Sequence, residues 1–226
     1  MKTFKKLGLQ TVAAMTLYCA VGLTFAAELV IGQVAPLSGV LASTRHQMVV
    51  GGKIYFDAIN AQGVIHGALI KQLVVDGGYK VEETSRLTRE LLARPEVLAL
   101  FGFAGTANVS KLLQDGILDL GGAGLVAPYT GGKALRTPFN PWIFHVRAGY
   151  ADEAEHMVQQ LTTLGMNRIA VMYQYDGFGK AGLLGVTNAL AKRDLKLAVA
   201  AGYERNTDKV DDAVKKSRPQ TRKPLL

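Results

Sequence analysis

The sequence predicts an α/β protein built on a doubly wound parallel sheet, and three observations carry that expectation. Short aliphatic or β-branched runs alternate with longer stretches of helical periodicity, and glycine or proline punctuates the joints between them. The 226 residues are 49% hydrophobic and only 19% charged, the balance of an ordered globular chain. Alternation of this kind favours parallel strands covered by helices on both faces.

Ahead of the first strand, Lys2, Lys5 and Lys6 precede a charge-free stretch from Leu7 to Phe25 that closes on Ala26 and Ala27. That order is the pattern of a cleavable secretory signal peptide, so residues 1–26 are expected to direct export out of the cytoplasm. The single cysteine, Cys19, falls inside it. The remainder is therefore expected to lack disulfides, thiol nucleophiles and thiolate metal sites.

Leu29 to Val34 reads as a buried strand, Val49 to Ala61 as a helix and Ala68 to Val75 as a second strand. Val81 to Ala93 is expected to be helical, with Glu82 and Glu83 in the first turn, where carboxylates suit the dipole. Val97 to Phe101 follows as a strand, Ala107 to Ile117 as a helix and Gly124 to Ala127 as a strand. Pro138, Pro141 and Trp142 interrupt the rhythm. It resumes with a helix from Tyr150 to Leu164, a strand from Arg168 to Tyr173, a helix from Gly179 to Lys192 and a strand from Lys196 to Tyr203.

In open sheets of this kind ligands bind beyond the carboxyl ends of the strands. Three segments there share a chemistry: Pro36-Leu37-Ser38-Gly39, Phe103-Ala104-Gly105-Thr106 and Pro128-Tyr129-Thr130-Gly131. Each joins a hydroxyl to a glycine that lets backbone N–H groups approach a ligand beside the start of a helix, which favours a carboxylate or similar small anion. Serine, threonine and glycine also serve turns and helix caps with no ligand, and that reading stays open for each loop.

The formal charge of +8 does not mark a nucleic-acid surface. Lys2, Lys5 and Lys6, with Lys215, Lys216, Arg218, Arg222 and Lys223, account for all of it, leaving a neutral body. His46, His66, His145 and His156 follow no metal-ligand spacing and no G-x-S-x-G elbow occurs, so no catalytic residue, metal or cofactor is expected. Asp152, Glu153 and Glu155 read as the acidic first turn of a helix. Gly177-Phe178-Gly179-Lys180-Ala181-Gly182 fits G-x-G-x-x-G, with Glu204 past the next strand, and so keeps a dinucleotide-binding oxidoreductase as a rival reading. Against it, Gln174, Tyr175 and Asp176 separate the apolar strand from the first glycine.

Several segments resemble the periplasmic leucine/isoleucine/valine-binding family, the solute receptors of branched-chain amino-acid transporters. They are IGQVAPLSG at 31–39, AINAQG at 58–63, TGGKALRTP at 130–138, FHVRAGYADE at 144–153 and RIAVMYQYDGFGKAGLLG at 168–185. The resemblance implies a two-lobed, type I periplasmic-binding fold that closes around a small amphipathic molecule and presents it to an inner-membrane ABC permease. A sensor or receptor module of the same fold is the alternative. The implied ligand contacts are Gly105, Thr106, Thr130 and Gly131 to a carboxylate, with Ser38 beside them and Phe178 as a covering aromatic from the second lobe. The first lobe's own cover residue falls near Thr44. Residues 27–146 are expected to form the N-terminal lobe and 147–216 the start of an incomplete second lobe. Residues 217–226 look like an aberrant basic tail at a truncated or frame-shifted end, and no residue is assigned to a ligand's ammonium group.

Overall fold

The aliphatic run from Leu29 to Val34 becomes the middle of a sheet because it has apolar residues on both faces. The computed structural model describes residues 27–39, 42–63 and 65–218. Expectations on residues 1–26, on the side chain of Thr44 and on residues 219–226 lie outside the described residues.

The first lobe contains β1 (Glu28–Ala35), α1 (Ala42–Ala61), β2 (Leu69–Asp76), α2 (Val81–Leu92) and β3 (Val97–Phe101). It continues through α3 (Thr106–Gln114), α4 (Ile117–Gly121), β4 (Leu125–Val126), a 3-10 turn at Lys133–Leu135, and β5 (Ile143–Phe144). The five strands pair in the order β2-β1-β3-β4-β5, and every pairing is parallel. The doubly wound α/β class is as the sequence predicts. Parallel pairing puts the carboxyl ends of all five strands on one edge, so the loops that follow them meet there.

Leu100, Leu125, Val109, Leu112, Leu118 and Phe103 are fully buried and make the heart of the first lobe. Helix α2 faces this core with Leu91 but also buries Thr84, Ser85 and Thr88. The hydroxyls of Thr84 and Thr88 donate to the carbonyls one turn back, 2.8 and 2.6 Å away, so their polarity is satisfied within the helix. Asn60 holds the end of α1 to β2 by paired bonds, donating to the Ile70 carbonyl at 2.9 Å and accepting from its N–H at 2.8 Å.

The chain then crosses to a second unit of α5 (Tyr150–Thr163), β6 (Ala170–Gln174), α6 (Gly177–Ala191), β7 (Val199–Tyr203) and α7 (Asp211–Ser217). Strands β6 and β7 pair in parallel from Ala170 with Val199 to Gln174 with Tyr203. Val158, Ala189 and Leu190 form its core.

Several boundaries differ from expectation for identifiable reasons. Helix α1 begins at Ala42 rather than Val49, because its first seven residues carry no apolar periodicity to announce them. The helix expected over 107–117 is two, α3 and α4, broken where Gly116 takes a left-handed conformation at φ 63°. Strand β5 was hidden behind Pro138 and Pro141; two residues have no period, and it forms because β4 is there to pair with it. Helix α7 shows acidic residues in its first turn and lysines in its last, a dipole-matched signal that the basic tail obscured.

Truncating Leu100 would leave a cavity at the centre of the first lobe. Leu100→Ala is expected to lower unfolding stability by about 2–5 kcal/mol, measured by urea denaturation. A loss below the lower bound would mean that this core collapses around the gap.

Candidate functional site

Between the two units lies a cavity of about 430 Å³. The first lobe contributes Tyr79, Gly105 and Tyr129; the second contributes Tyr150, Glu153, Tyr173, Phe178 and Tyr203, and Arg147 enters from the crossing segment. A cavity of this size, mostly apolar with a few convergent polar groups, suits a small organic molecule.

The first-lobe wall is built where β3 and β4 end. A bridge between Ala104 and Tyr129 prolongs their pairing, and the Tyr129 N–H donates to the Phe103 carbonyl at 2.7 Å. Gly105 then opens α3 at φ 100°. A side chain there would be strained, and its Cβ would lie 2.6 Å from Asn108 Oδ1 and 2.7 Å from the Tyr79 ring. Behind Gly105, the Thr106 and Thr130 hydroxyls are buried and bonded to each other at 2.7 Å, and the Gly132 N–H donates to Thr130 Oγ1 at 3.2 Å.

Of the six residues singled out in the sequence, Gly105 and Phe178 line this cavity, while Thr106 and Thr130 sit buried behind it. Gly131 meets the crossing segment: its carbonyl accepts the Tyr150 N–H at 2.8 Å, and a Cβ there would lie 2.9 Å from the Ala148 carbonyl oxygen. Arg136 secures the same crossing by donating to the carbonyls of Arg147 and Ala148, at 2.8 and 3.2 Å. Ser38 is exposed and lines a separate cleft with Asp76, Lys80 and Asn206.

Asp76 organises that Ser38 loop. Its Oδ1 accepts from the N–H groups of Leu37 at 2.8 Å, Gly78 at 2.8 Å and Ser38 at 3.3 Å. Burial works against its charge, but the hydrogen bond from the Ser38 side chain and those backbone donors outweigh it and hold the carboxyl below its ordinary pKa.

Phe178 stands on the second-lobe wall, its ring 5.4 Å from that of Tyr150 in an edge-to-face contact. It is placed by a strong helix cap: Asp176 Oδ1 accepts the N–H groups of Phe178 and Gly179 at 2.9 and 3.0 Å. Those are amides that a dinucleotide's pyrophosphate would need in the rival reading of 177–182, and here a side-chain carboxylate already uses them.

Sequence reasoning missed four residues that shape the site. Tyr79, a buried residue at φ 58°, left only the preceding Gly77-Gly78 pair as a hint. Glu153 was read for its place in the first turn of α5 alone. Arg147 carried no signal; its guanidinium bonds Glu153 and lies 5.2 and 5.5 Å from the ring centres of Tyr129 and Tyr150. Burial works against the Arg147 charge, and the bond and attraction of Glu153 outweigh it, holding the guanidinium more firmly protonated than usual.

Arg205, just after β7, is also unannounced. It lies 3.4 Å from the Asp176 carboxylate of its own lobe, donates to Asn108 Oδ1 and the Tyr79 carbonyl of the other, and stacks 3.9 Å over the Tyr79 ring. Its side chain is 16% exposed and that of Asp176 only 6%. One guanidinium thus ties the two walls together.

Among the described residues, no group of three or more histidine, cysteine or acidic side chains is placed to hold a metal ion. None of their helices is long and apolar enough to cross a membrane.

Two sheets joined by a crossing segment thus have a cavity between them that is lined from both. The sequence profile of the periplasmic binding proteins matches residues 28–220, and the chain belongs to that family. A substrate-binding periplasmic protein from Ralstonia solanacearum is 36% identical, with a TM-score of 0.79 over 84% of this chain and 53% of its own. A possible leucine/isoleucine/valine-binding protein from Rhodopirellula baltica SH 1 is 27% identical, with a TM-score of 0.78 over 84% and 52%. An extracellular ligand-binding receptor from Verminephrobacter eiseniae is 30% identical, with a TM-score of 0.72 over 80% and 51%. The chain spans about half the length of these solved structures. No curated protein matches the sequence.

Arg205→Ala is expected to let the lobes separate, raising the radius of gyration measured by small-angle scattering. Arg205→Lys should behave similarly, since one ammonium lacks the fork geometry and the flat face that stacks on Tyr79. Unchanged scattering in both variants would deny the tie. For Asp76, a depressed folded pKa places its contribution above the unfolded value of about 4 and removes it as pH falls through the folded value. The gap in melting temperature between wild type and Asp76→Asn should therefore shrink as pH is lowered toward about 2.5. A gap that stays constant with pH would contradict the assignment.

Proposed function

We propose that this chain is the periplasmic solute-capturing component of an ABC transporter, taking a branched-chain amino acid or related small carboxylate between its lobes. The observation that carries the reading is the shared cavity, with Gly105 and Tyr79 on one wall and Phe178 and Tyr150 on the other. In this reading residues 1–26 direct export, 27–146 and 147–216 contribute the two lobes, and the closed form is offered to an inner-membrane permease. The chemistry is capture and release without catalysis.

The ligand's carboxylate is assigned to the loop edge of the first lobe, where Gly105 opens α3 and the Thr106–Thr130 couple lies behind it, with Gly131 and Ser38 in the flanking loops. The ligand's apolar part is assigned to Phe178, which is 41% exposed and has an aromatic partner in Tyr150. The family match supports a solute-binding role, and the similarity to the Rhodopirellula protein supports the leucine/isoleucine/valine class.

Titration calorimetry with leucine, isoleucine, valine and small organic acids tests the assignment. At least one should bind, and Thr106→Ala or Thr130→Ala should weaken it roughly tenfold or more, the scale of a hydrogen bond to a charged group. Phe178→Ala should weaken leucine more than valine. No binding across the set would overturn the ligand class, and unaltered affinity in both threonine variants would overturn the carboxylate site.

A further inference from the structure

The amino ends of β6 and β7 open into a cleft of about 510 Å³, and no residue that lines it also lines the cavity between the lobes. Its floor is small and apolar: Ala170 from β6, with Ala198 and Val199 where β7 begins. Its rim is cationic. Arg168, Lys216 and Arg218 line it, all three are exposed, and no acidic residue lines it with them. Acids on neighbouring helices answer other cations: Asp212 lies 3.9 Å from Lys215, and Glu155 pairs with Lys192 and Arg193 at 3.0 and 2.8 Å. Ser217, the remaining lining residue, donates its hydroxyl to the Val214 carbonyl at 2.9 Å, so the donors left facing the cleft are the charged ones.

Two of these cations have an ordinary reason for their place. Lys216 stands in the last turn of α7 and Arg218 is its C-cap, where positive charge suits the helix dipole. Arg168 comes from the segment between α5 and β6, and that dipole gives no reason for it to join them. Three like charges around one cleft repel each other, and an anion between them removes the cost. We propose that this cleft binds a phosphate monoester. Arg168 and Arg218 offer forked donors that match phosphate oxygens, Lys216 adds a third charge, and the alanine and valine floor receives the start of the group the phosphate is attached to. A volume of about 510 Å³ leaves room for that group. The charges converge on one cleft, which suits a single phosphate rather than a nucleic-acid backbone. The same chemistry has two sources, a soluble ester and the headgroup of a phosphatidic-acid lipid. The site is independent of the solute proposed to bind between the lobes.

Calorimetry of the full chain with glycerol 3-phosphate reads the site directly. Binding should tighten between about pH 5 and about pH 7.5, as the ester gains its second charge near pH 6. Arg168→Gln and Lys216→Gln change exposed side chains, so both should fold, and each should weaken binding roughly tenfold, the scale of a charge-assisted hydrogen bond. Arg218→Gln provides a third, independent reading. Lys196→Gln removes an exposed cation of the same lobe that does not line the cleft, and should change affinity by less than about threefold. Sedimentation with phosphatidylcholine vesicles, with and without phosphatidic acid, separates the two sources. Capture that needs phosphatidic acid and is lost in Arg168→Gln makes the lipid headgroup the ligand; glycerol 3-phosphate binding without such capture makes it a soluble ester. The inference falls if the chain binds neither glycerol 3-phosphate nor phosphatidic-acid vesicles, or if the cleft variants bind as wild type does. It falls equally if Lys196→Gln weakens binding as much as Arg168→Gln, since a diffuse positive field would then suffice.

Discussion

The relation between the lobes rests on the guanidinium of Arg205. It is a largely buried charge, and a buried charge must find partners or the arrangement is unstable. Its partners are drawn from both units: Asp176 on its own side, Asn108 and the Tyr79 carbonyl across the gap, and the Tyr79 ring beneath it. Each of those residues has a second duty. Asp176 caps the helix that carries Phe178, Asn108 donates to Thr84 Oγ1 at 2.8 Å and so braces α2 against α3, and Tyr79 lines the cavity. The spacing of the two walls and the orientation of what they display are therefore set together.

The covalent crossing complements this tie. Arg136 and the Gly131 carbonyl hold the chain as it leaves the first lobe, so α5 starts from a fixed point at Tyr150. From that point a single turn of helix brings Tyr150, Glu153 and Ala154 to the cavity. Position along the chain thus becomes position around the cavity.

The alternation of apolar runs with helical stretches made the architecture readable, because each element is long enough to display its period. Where elements are too short or too polar for a period, as at β5 and the first two turns of α1, only the folded neighbours determine them. The site divides the same way. Gly105 was legible because it follows a strand whose carboxyl end lies on the loop edge of the first sheet, and Phe178 through the resemblance of the 168–185 segment to the leucine/isoleucine/valine-binding family. Arg147, Glu153 and Arg205 were not, because a single charged residue in a linear text has no mark of its partner: Arg205 and Tyr79 are 126 positions apart. Glu153 shows how one residue satisfies a local rule and still faces a cavity, its first-turn place suiting the helix dipole while its carboxylate meets Arg147.

The bond between the hydroxyls of Thr106 and Thr130 has a consequence of direction. Either oxygen can be the donor. One of the two protons is committed to the partner oxygen, so the couple has a single proton left over, and which residue holds it depends on the sense of the shared bond. Reversing that sense transfers the spare donor from the start of α3 to the loop after β4 by rotating two hydroxyls, with no backbone motion. The couple is thereby a small polarity switch set into the buried wall behind Gly105.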